Sequence, residues 1–204
     1  MGETEWRGAS ILWAEAAPGV TLTAAELDAL GASQVRRFGE LTGARATAFL
    51  TGRYLVRELA RRLLGRDPVL DSRCERCGLD HLAPRTDGIV FSVGHSGGLT
   101  VAAASTTTRR LGIDVEADAE RHRVDDLGPL FAPEPAPDLA AWTRIEAVLK
   151  ADGRGVAVPP DAVRMHRIVG TGDEWTATVP GLRDTLRVVT LPGPAGHTLS
   201  VAVG

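Results

Sequence analysis

Aromatic residues, cysteines and long apolar runs are scarce in this chain of 204 residues, and each shortage excludes a class of protein. Aromatic residues make up 4%, too few for a platform that stacks the bases of single-stranded nucleic acid. Two cysteines cannot build a disulfide framework. No apolar run approaches the ~20 residues of a membrane-spanning helix, and the N-terminus lacks the charged-then-apolar pattern of a secretory signal.

The remaining composition indicates a packed protein. Hydrophobic residues make up 44% and charged residues 24%, which argues against a disordered or fibrous chain. The formal net charge is −3, so the chain has no basic field for holding nucleic acid. We therefore expect a soluble, cytoplasmic, globular protein, long enough for one domain or two small halves.

Lysine is almost absent, although basic residues are not. Of the 23 basic residues one is lysine, Lys150, and the other 22 are arginine; the chain also has no asparagine. Such a bias is typical of a G+C-rich coding sequence, in which a lysine that is only a solvated charge readily becomes arginine. A compact ammonium differs from a guanidinium in how it contacts a phosphate oxygen, so Lys150 is either functional or a chance survivor.

The hydrophobic pattern predicts an α+β protein. A first strand is expected at 10–14, followed by a helix that a capping box opens at Thr23-x-x-Glu26 and that runs toward Phe38. Longer helices are predicted at 44–64 and 138–151. Strands are predicted at 89–93, 99–105 and 110–116, read as one meander, and at 163–169, 174–179, 184–191 and 197–203. The stretches 66–88 and 117–137 read as loops, the second being acidic and rich in proline.

Two carboxylates lie two residues apart in Gly112-Ile-Asp114-Val-Glu116. On a strand they share one face, while Ile113 and Val115 point to the other. Their mutual repulsion would be removed by a divalent cation, and Mg²⁺ is typically held by one or two carboxylates. The alternative is an ordinary edge strand with a polar face.

A second candidate pair, one acidic and one basic residue, lies on the helix predicted at 138–151. Glu146 and Lys150 are four residues apart and share one helix face. They are either a common helix ion pair or, because the lysine is the only one in the chain, a base or metal ligand beside a phosphate clamp.

The segment Gly94-His-Ser96-Gly-Gly98 matches the Gly-x-Ser-x-Gly nucleophile elbow of hydrolases, with His197 downstream as a potential triad partner. That motif requires a helix after the serine, whereas the following residues indicate a hairpin. Alternatively His95 and Ser96 form a donor cluster for an anion, or His95 is only a turn residue.

Cys74-x-x-Cys77-Gly-x-x-His81 has the beginning of a zinc motif. Structural zinc needs four ligands, and a second pair at the proper spacing is absent from the sequence. We therefore expect a knuckle-like loop, with partial metal binding as the alternative.

Taken in order, these segments resemble the 4′-phosphopantetheinyl transferases of the larger, surfactin-synthetase-activating type. The first matching segments are Phe49-x-x-Gly52-Arg53-x-Leu55-x-Arg57, Cys74-x-x-Cys77-Gly78 with His81 and Pro84, and Phe91-Ser-Val-Gly-His95-Ser96. The specific part is Gly112-Ile-Asp114-Val-Glu116 followed by Trp142-Thr-Arg-Ile-Glu146-Ala-Val-Leu-Lys150.

The resemblance implies a pseudo-twofold monomer of two α+β halves, residues 1–105 and 106–204, each a long helix packed on a small antiparallel sheet. Coenzyme A and Mg²⁺ would bind in the cleft between the halves. The enzyme would move 4′-phosphopantetheine from coenzyme A to a serine of an acyl or peptidyl carrier protein, as in polyketide or nonribosomal peptide synthesis.

The resemblance also implies roles for individual residues. Asp114, Glu116 and Glu146 would hold Mg²⁺, Glu146 would also take the serine proton, and Lys150 would bind phosphate. His95 would contact the 3′-phosphate side of coenzyme A. The remaining residues expected to bind coenzyme A are Ser96, Arg45, Arg53 and Arg85.

The sequence departs from the family pattern at several positions. Ile145 and Gly94 replace a usual lysine and serine, and Ala48 replaces a frequent arginine. Leu82 and Ala83 replace a glycine and a cation. The departures leave open a diverged member with lost or repurposed transferase activity, which binds a carrier protein or nucleotide; a Ser96/His197 hydrolase is the third alternative.

Overall fold

The chain forms two compact units, Met1–Thr107 and Thr108–Gly204. The structure is a computed structural model that describes residues 1–75 and 77–204, with the backbone alone for residues 123, 125 and 156. Both units mix helices with an antiparallel five-stranded sheet. This agrees with the expected α+β class. No helix in the described part of the chain has the length and hydropathy needed to cross a bilayer.

Unit 1 (Met1–Thr107) is a sheet with one long helix packed on it. Its elements are β1 (Gly2–Trp6), β2 (Ala9–Glu15), α1 (Ala24–Ala29), α2 (Ala32–Gly39), α3 (Gly43–Leu64), β3 (Arg85–Thr86), β4 (Ile89–Ser96) and β5 (Leu99–Ser105). The strand order is β1-β2-β5-β4-β3, and every pair is antiparallel. The core under α3 includes Leu12, Leu55, Leu59 and Phe91.

The helix expected from Thr23 toward Phe38 is broken into two. Thr23 and Glu26 form the capping box that opens α1, as predicted. The prediction of one helix is wrong because Gly31, with φ +115°, leaves the helical region and starts α2. The sequence analysis did not predict strand β1. Helix α3 begins one residue before the predicted start at 44 and ends at 64 as predicted.

Unit 2 (Thr108–Gly204) contains the remaining elements. These are β6 (Leu111–Ala117), α4 (His122–Asp125), α5 (Gly128–Phe131), α6 (Leu139–Asp152), β7 (Arg164–Arg167), β8 (Glu174–Thr178), β9 (Leu186–Leu191) and β10 (His197–Val203). The strand order is β6-β10-β9-β8-β7. Helix α6 packs on β6, β9 and β10 over a core that includes Val148, Leu186, Val188 and Ala202.

Two predictions fail around β6. The expected meander of three strands at 89–116 is wrong, because only β4 and β5 form a hairpin, whereas β6 pairs with β10 in the other sheet. The stretch 117–137, expected to be a loop, contains a short 3₁₀ turn and the helices α4 and α5. In β6 the buried side chains of Ile113 and Val115 alternate with Asp114 and Glu116, as the period of two requires.

Candidate active site

The acidic face of β6 lies against α6. Gly112, Asp114 and Glu116 point to the same side of the strand because they are two residues apart. A Cβ atom added to Gly112 would overlap the Ala147 carbonyl oxygen of α6. The helix backbone therefore rests directly on this strand, and the glycine allows the contact that places the two carboxylates beside α6.

Helix α6 has well-defined ends. Asp138 caps its start by accepting a hydrogen bond from the Ala141 amide at 2.7 Å. Gly153 ends it in the left-handed region, with φ +83°. Between these caps, Glu146 and Lys150 are one turn apart and share the face of the helix that meets β6.

Lys150 joins the helix to the acidic strand. Its ammonium lies 2.7 Å from Asp114 Oδ1 and donates to the Ile113 carbonyl oxygen at 3.0 Å. The Asp114 side chain is 9% exposed and the Lys150 side chain 31% exposed. This is a largely desolvated ion pair, with the lysine partly accessible to a ligand.

Glu146 is the third carboxylate of the cluster, and the residues around it shift its pKa. Burial raises the pKa of Glu146 above its ordinary value, and the negative charges of Asp114 and Glu116 raise it further. The positive charge of Lys150 opposes these effects without overcoming them. The expected residues Asp114, Glu116, Glu146 and Lys150 therefore lie close enough to act on one another's charges.

A buried polar network holds the other half of α6 to its sheet. The Thr143 and Ser200 hydroxyls are 2.8 Å apart, and Ser200 in turn is 3.0 Å from the Thr190 hydroxyl. Arg144 donates to Thr190 at 2.9 Å and lies over the Trp175 ring, 4.8 Å from its centroid. Sequence reasoning missed this network; its only sequence signal is a Thr-Arg pair between apolar helix positions.

The donor set of the cluster fits magnesium. All three carboxylates offer oxygen ligands, which Mg²⁺ prefers, and they outnumber the one ammonium of Lys150, so a divalent cation would balance the excess negative charge. The described residues hold no trio of carboxylates whose ligand atoms all lie within 4.8 Å of one another. Since Mg²⁺ keeps several waters, direct bonds from one or two of Asp114, Glu116 and Glu146 suffice.

The predicted residues His95 and Ser96 lie at the end of β4 in unit 1. Ser96 pairs with Leu99 of β5 across a turn of Gly97 and Gly98. This described stretch is a β-hairpin, so the helix that a nucleophile elbow requires is not formed after Ser96. The His95 side chain is exposed and Ser96 is half-buried.

The predicted arginines of unit 1 differ in how they are used. Arg45 is exposed on the first turn of α3. Arg53 is buried: it donates to Gln34 Oε1 at 2.6 Å, lies over the Phe49 ring, and burial lowers its pKa to about 10. Arg85 is exposed and ion-paired with Asp71 at 3.0 Å.

Replacing Lys150 with methionine is expected to lower the free energy of unfolding by about 1–3 kcal/mol. The change leaves the Asp114 carboxylate buried without its cation, which is the costly way to break such a pair. In the double variant Asp114→Asn/Lys150→Met both charges are removed, so much of the loss should return. Chemical denaturation of both single variants and of the double variant measures the coupling, with the exposed Arg183→Met as control. Losses that add across the two substitutions would contradict the pairing.

Comparison with known proteins adds no family assignment to this geometry. The chain matches no family model, and no curated protein matches it significantly. The functional interpretation therefore depends on the cluster formed by β6 and α6 and on the motif resemblance of the sequence.

Proposed function

We propose that the protein is a magnesium-dependent phosphopantetheinyl transferase, acting as a cytoplasmic monomer. It would move the 4′-phosphopantetheine group of coenzyme A to a serine of an acyl or peptidyl carrier protein and release adenosine 3′,5′-bisphosphate. The observation that carries the proposal is the cluster of Asp114, Glu116 and Glu146 around the one lysine of the chain, Lys150.

The reaction needs charge balance and positioning more than a strong nucleophile. The serine oxygen forms a bond to the phosphorus that carries pantetheine, and the bond from that phosphorus to the bridging oxygen of the leaving bisphosphate breaks. Asp114, Glu116 and Glu146 would hold Mg²⁺, which would neutralise negative charge on the pyrophosphate of coenzyme A. Lys150 would bind a phosphate oxygen through its partly exposed ammonium.

Glu146 is our candidate general base. In the metal-free protein, burial and the neighbouring acids raise the pKa of Glu146, so its carboxylate accepts a proton more readily than an ordinary glutamate; a bound Mg²⁺ would oppose this effect. As the serine oxygen bonds to phosphorus, its proton would pass to Glu146. The same negative surroundings would attract the metal, so the site would be both a cation site and a proton acceptor.

We also propose that the two units are copies of one α+β half. In unit 1, β2 pairs antiparallel with β5, the last strand of the unit, and α3 lies between them in sequence. In unit 2, β6 pairs antiparallel with β10, the last strand, and α6 lies between them in sequence. In both, the strands after the long helix pair antiparallel in chain order, which supports an internal repeat of one topology.

The second candidate is a diverged member that has lost or changed the transfer step. Two of the arginines expected to bind coenzyme A already have partners within unit 1, Arg53 with Gln34 and Arg85 with Asp71. Ile145 replaces a usual lysine and is buried in the core of unit 2. These positions favour weaker coenzyme A binding while leaving the acidic cluster intact.

The deciding experiment combines the protein with an apo carrier protein, coenzyme A and Mg²⁺. Intact mass spectrometry should show the carrier gaining one phosphopantetheine, and removing Mg²⁺ with a chelator should prevent it. A carrier with its acceptor serine replaced by alanine is the matched control.

Calorimetric titration of coenzyme A, with and without Mg²⁺, separates the two candidates. Micromolar, magnesium-dependent binding together with carrier modification supports the transferase. Nucleotide or carrier binding without any mass gain would favour the diverged member, and ester hydrolysis lost in Ser96→Ala would favour neither.

A further inference from the structure

The loop between α3 and β3 has a fixed base. Asp71 and Arg85 exchange backbone hydrogen bonds at 2.9 and 2.8 Å, and the Leu82 amide donates to the Ser72 carbonyl oxygen at 3.0 Å. Ser72 is fully buried, and its hydroxyl accepts a hydrogen bond from the side-chain amide of Gln34 at 3.1 Å. The two arms of the loop are therefore held together and tied to the body of unit 1.

The tip of this loop gathers two thiols and an imidazole. The Cys74 amide donates to the Leu79 carbonyl oxygen at 2.8 Å, and the Gly78 amide donates to the Cys74 carbonyl oxygen at 2.7 Å. Gly78 has φ +74°, a conformation that favours glycine. As a result Cys77 Sγ lies 3.1 Å from His81 Nε2, and the ligand atoms of Cys74, Cys77 and His81 all lie within 4.8 Å of one another.

We propose that Cys74, Cys77 and His81 form a zinc site. Thiolates and imidazole are the ligands of zinc, whereas Mg²⁺ and Ca²⁺ require oxygen. With zinc–sulfur bonds of ~2.3 Å and zinc–nitrogen bonds of ~2.0 Å, tetrahedral ligands are about 3.5–3.8 Å apart. The Cys77–His81 distance of 3.1 Å is slightly below these values, and the other two separations do not exceed 4.8 Å, so small side-chain rotations close the site around an ion.

The residues around the loop determine the net charge of the zinc site and its fourth ligand. Two thiolates neutralise Zn²⁺, so the loop needs no further charge. Asp80 is adjacent in sequence, but its carboxylate is held by Arg36, with hydrogen bonds of 2.7 and 3.3 Å. Among the described residues no fourth ligand joins the cluster, so a water completes the tetrahedron. Cys77 and His81 are exposed, which makes the ion exchangeable with solution.

This proposal does not rest on the proposed transferase, because the acidic cluster that carries that proposal lies in unit 2 and the zinc loop lies in unit 1. A missing zinc ion would leave the acidic cluster as described. Likewise, a protein that fails to modify a carrier could still bind one zinc ion at this loop.

The test measures metal in the full-length protein. After dialysis against trace Zn²⁺, elemental analysis should give about one zinc per chain. Co²⁺ as a probe should produce the absorption of thiolate-to-cobalt charge transfer. In Cys77→Ser and His81→Ala, loss of one ligand should weaken binding more than about tenfold, whereas the exposed His166→Ala, in unit 2, should bind as wild type.

The outcomes separate the proposal from its alternatives. Zinc that persists in Cys77→Ser and His81→Ala at wild-type affinity would place the ion elsewhere and overturn the assignment. Thiols that react with a thiol reagent equally fast with and without Zn²⁺ would also overturn it. A Cys74–Cys77 disulfide that forms under air in the presence of excess Zn²⁺ would identify the loop as a redox pair instead. Circular dichroism of each variant checks that it is folded.

Discussion

Replacing Glu146 with glutamine is expected to lower the rate of the proposed phosphopantetheine transfer by about 10²–10⁴-fold while raising the free energy of unfolding of the metal-free protein at pH 7. The two effects have opposite signs because the carboxylate is destabilising where it stands. Burial and the neighbouring Asp114 and Glu116 raise its pKa above the ordinary 4.5, so ionisation is harder in the folded protein than in the unfolded chain. Glutamine removes that cost together with the base.

The pH dependence of the unfolding free energy is a second test of Glu146→Gln. As pH rises from 4.5 through the raised pKa of Glu146, the folded protein keeps a proton that the unfolded chain releases, so stability falls. Urea unfolding at a series of pH values should show this decline in the wild type and a smaller one in Glu146→Gln. The exposed Asp161→Asn is the control for removing a carboxylate from unit 2. Unchanged transfer, or a less stable variant, would contradict the assignment.

Replacing Gly112 with alanine is expected to destabilise the protein by about 3 kcal/mol. The new Cβ atom would overlap the Ala147 carbonyl oxygen, and helix backbone cannot yield as a side chain can. The substitution should push α6 away from β6. It should therefore separate Lys150 from Asp114 and disturb the site as well as the fold.

The matched control is Gly52→Ala on the long helix of unit 1. There the added Cβ would lie 3.1 Å from Val93 Cγ1, a side-chain atom that can move, and alanine favours a helix by about 1 kcal/mol over glycine. We expect its unfolding free energy to stay within about 1 kcal/mol of wild type. Chemical denaturation compares the two; a Gly112→Ala protein as stable as Gly52→Ala would contradict the close helix–strand contact.

Local signals in the sequence predicted most elements of unit 2. The run 197–203 was predicted with the bounds that β10 has, and α6 lies within one residue of its expected range. The reason is physical: α6 has a capping aspartate and a terminal glycine, and its apolar face follows the helical period. The strand and helix periods likewise predicted that Asp114 shares a face with Glu116 and Glu146 with Lys150. That the two pairs belong to one site was implied by the family resemblance and not by these periods.

Long-range pairing was not readable from the same signals. The alternation in β6 indicates a strand but not its partner, so a neighbour in sequence was chosen instead of β10. The partner of Arg53 is another example: Gln34 lies 19 residues away on a separate helix. The role of Gly112 was also missed, because a glycine in a strand does not indicate which backbone approaches it.

The pairing of β6 with β10 has a consequence for the order of folding. The acidic strand at 111–117 must wait for residues 197–203, and closing so long a loop is entropically unfavourable until other contacts have formed. Strands β8 and β9 follow each other in the chain and pair antiparallel, so their pairing requires closure of only a short loop. Lys150 is only 36 residues from Asp114, so the helix can join the acidic strand and balance its charge before β10 closes the sheet.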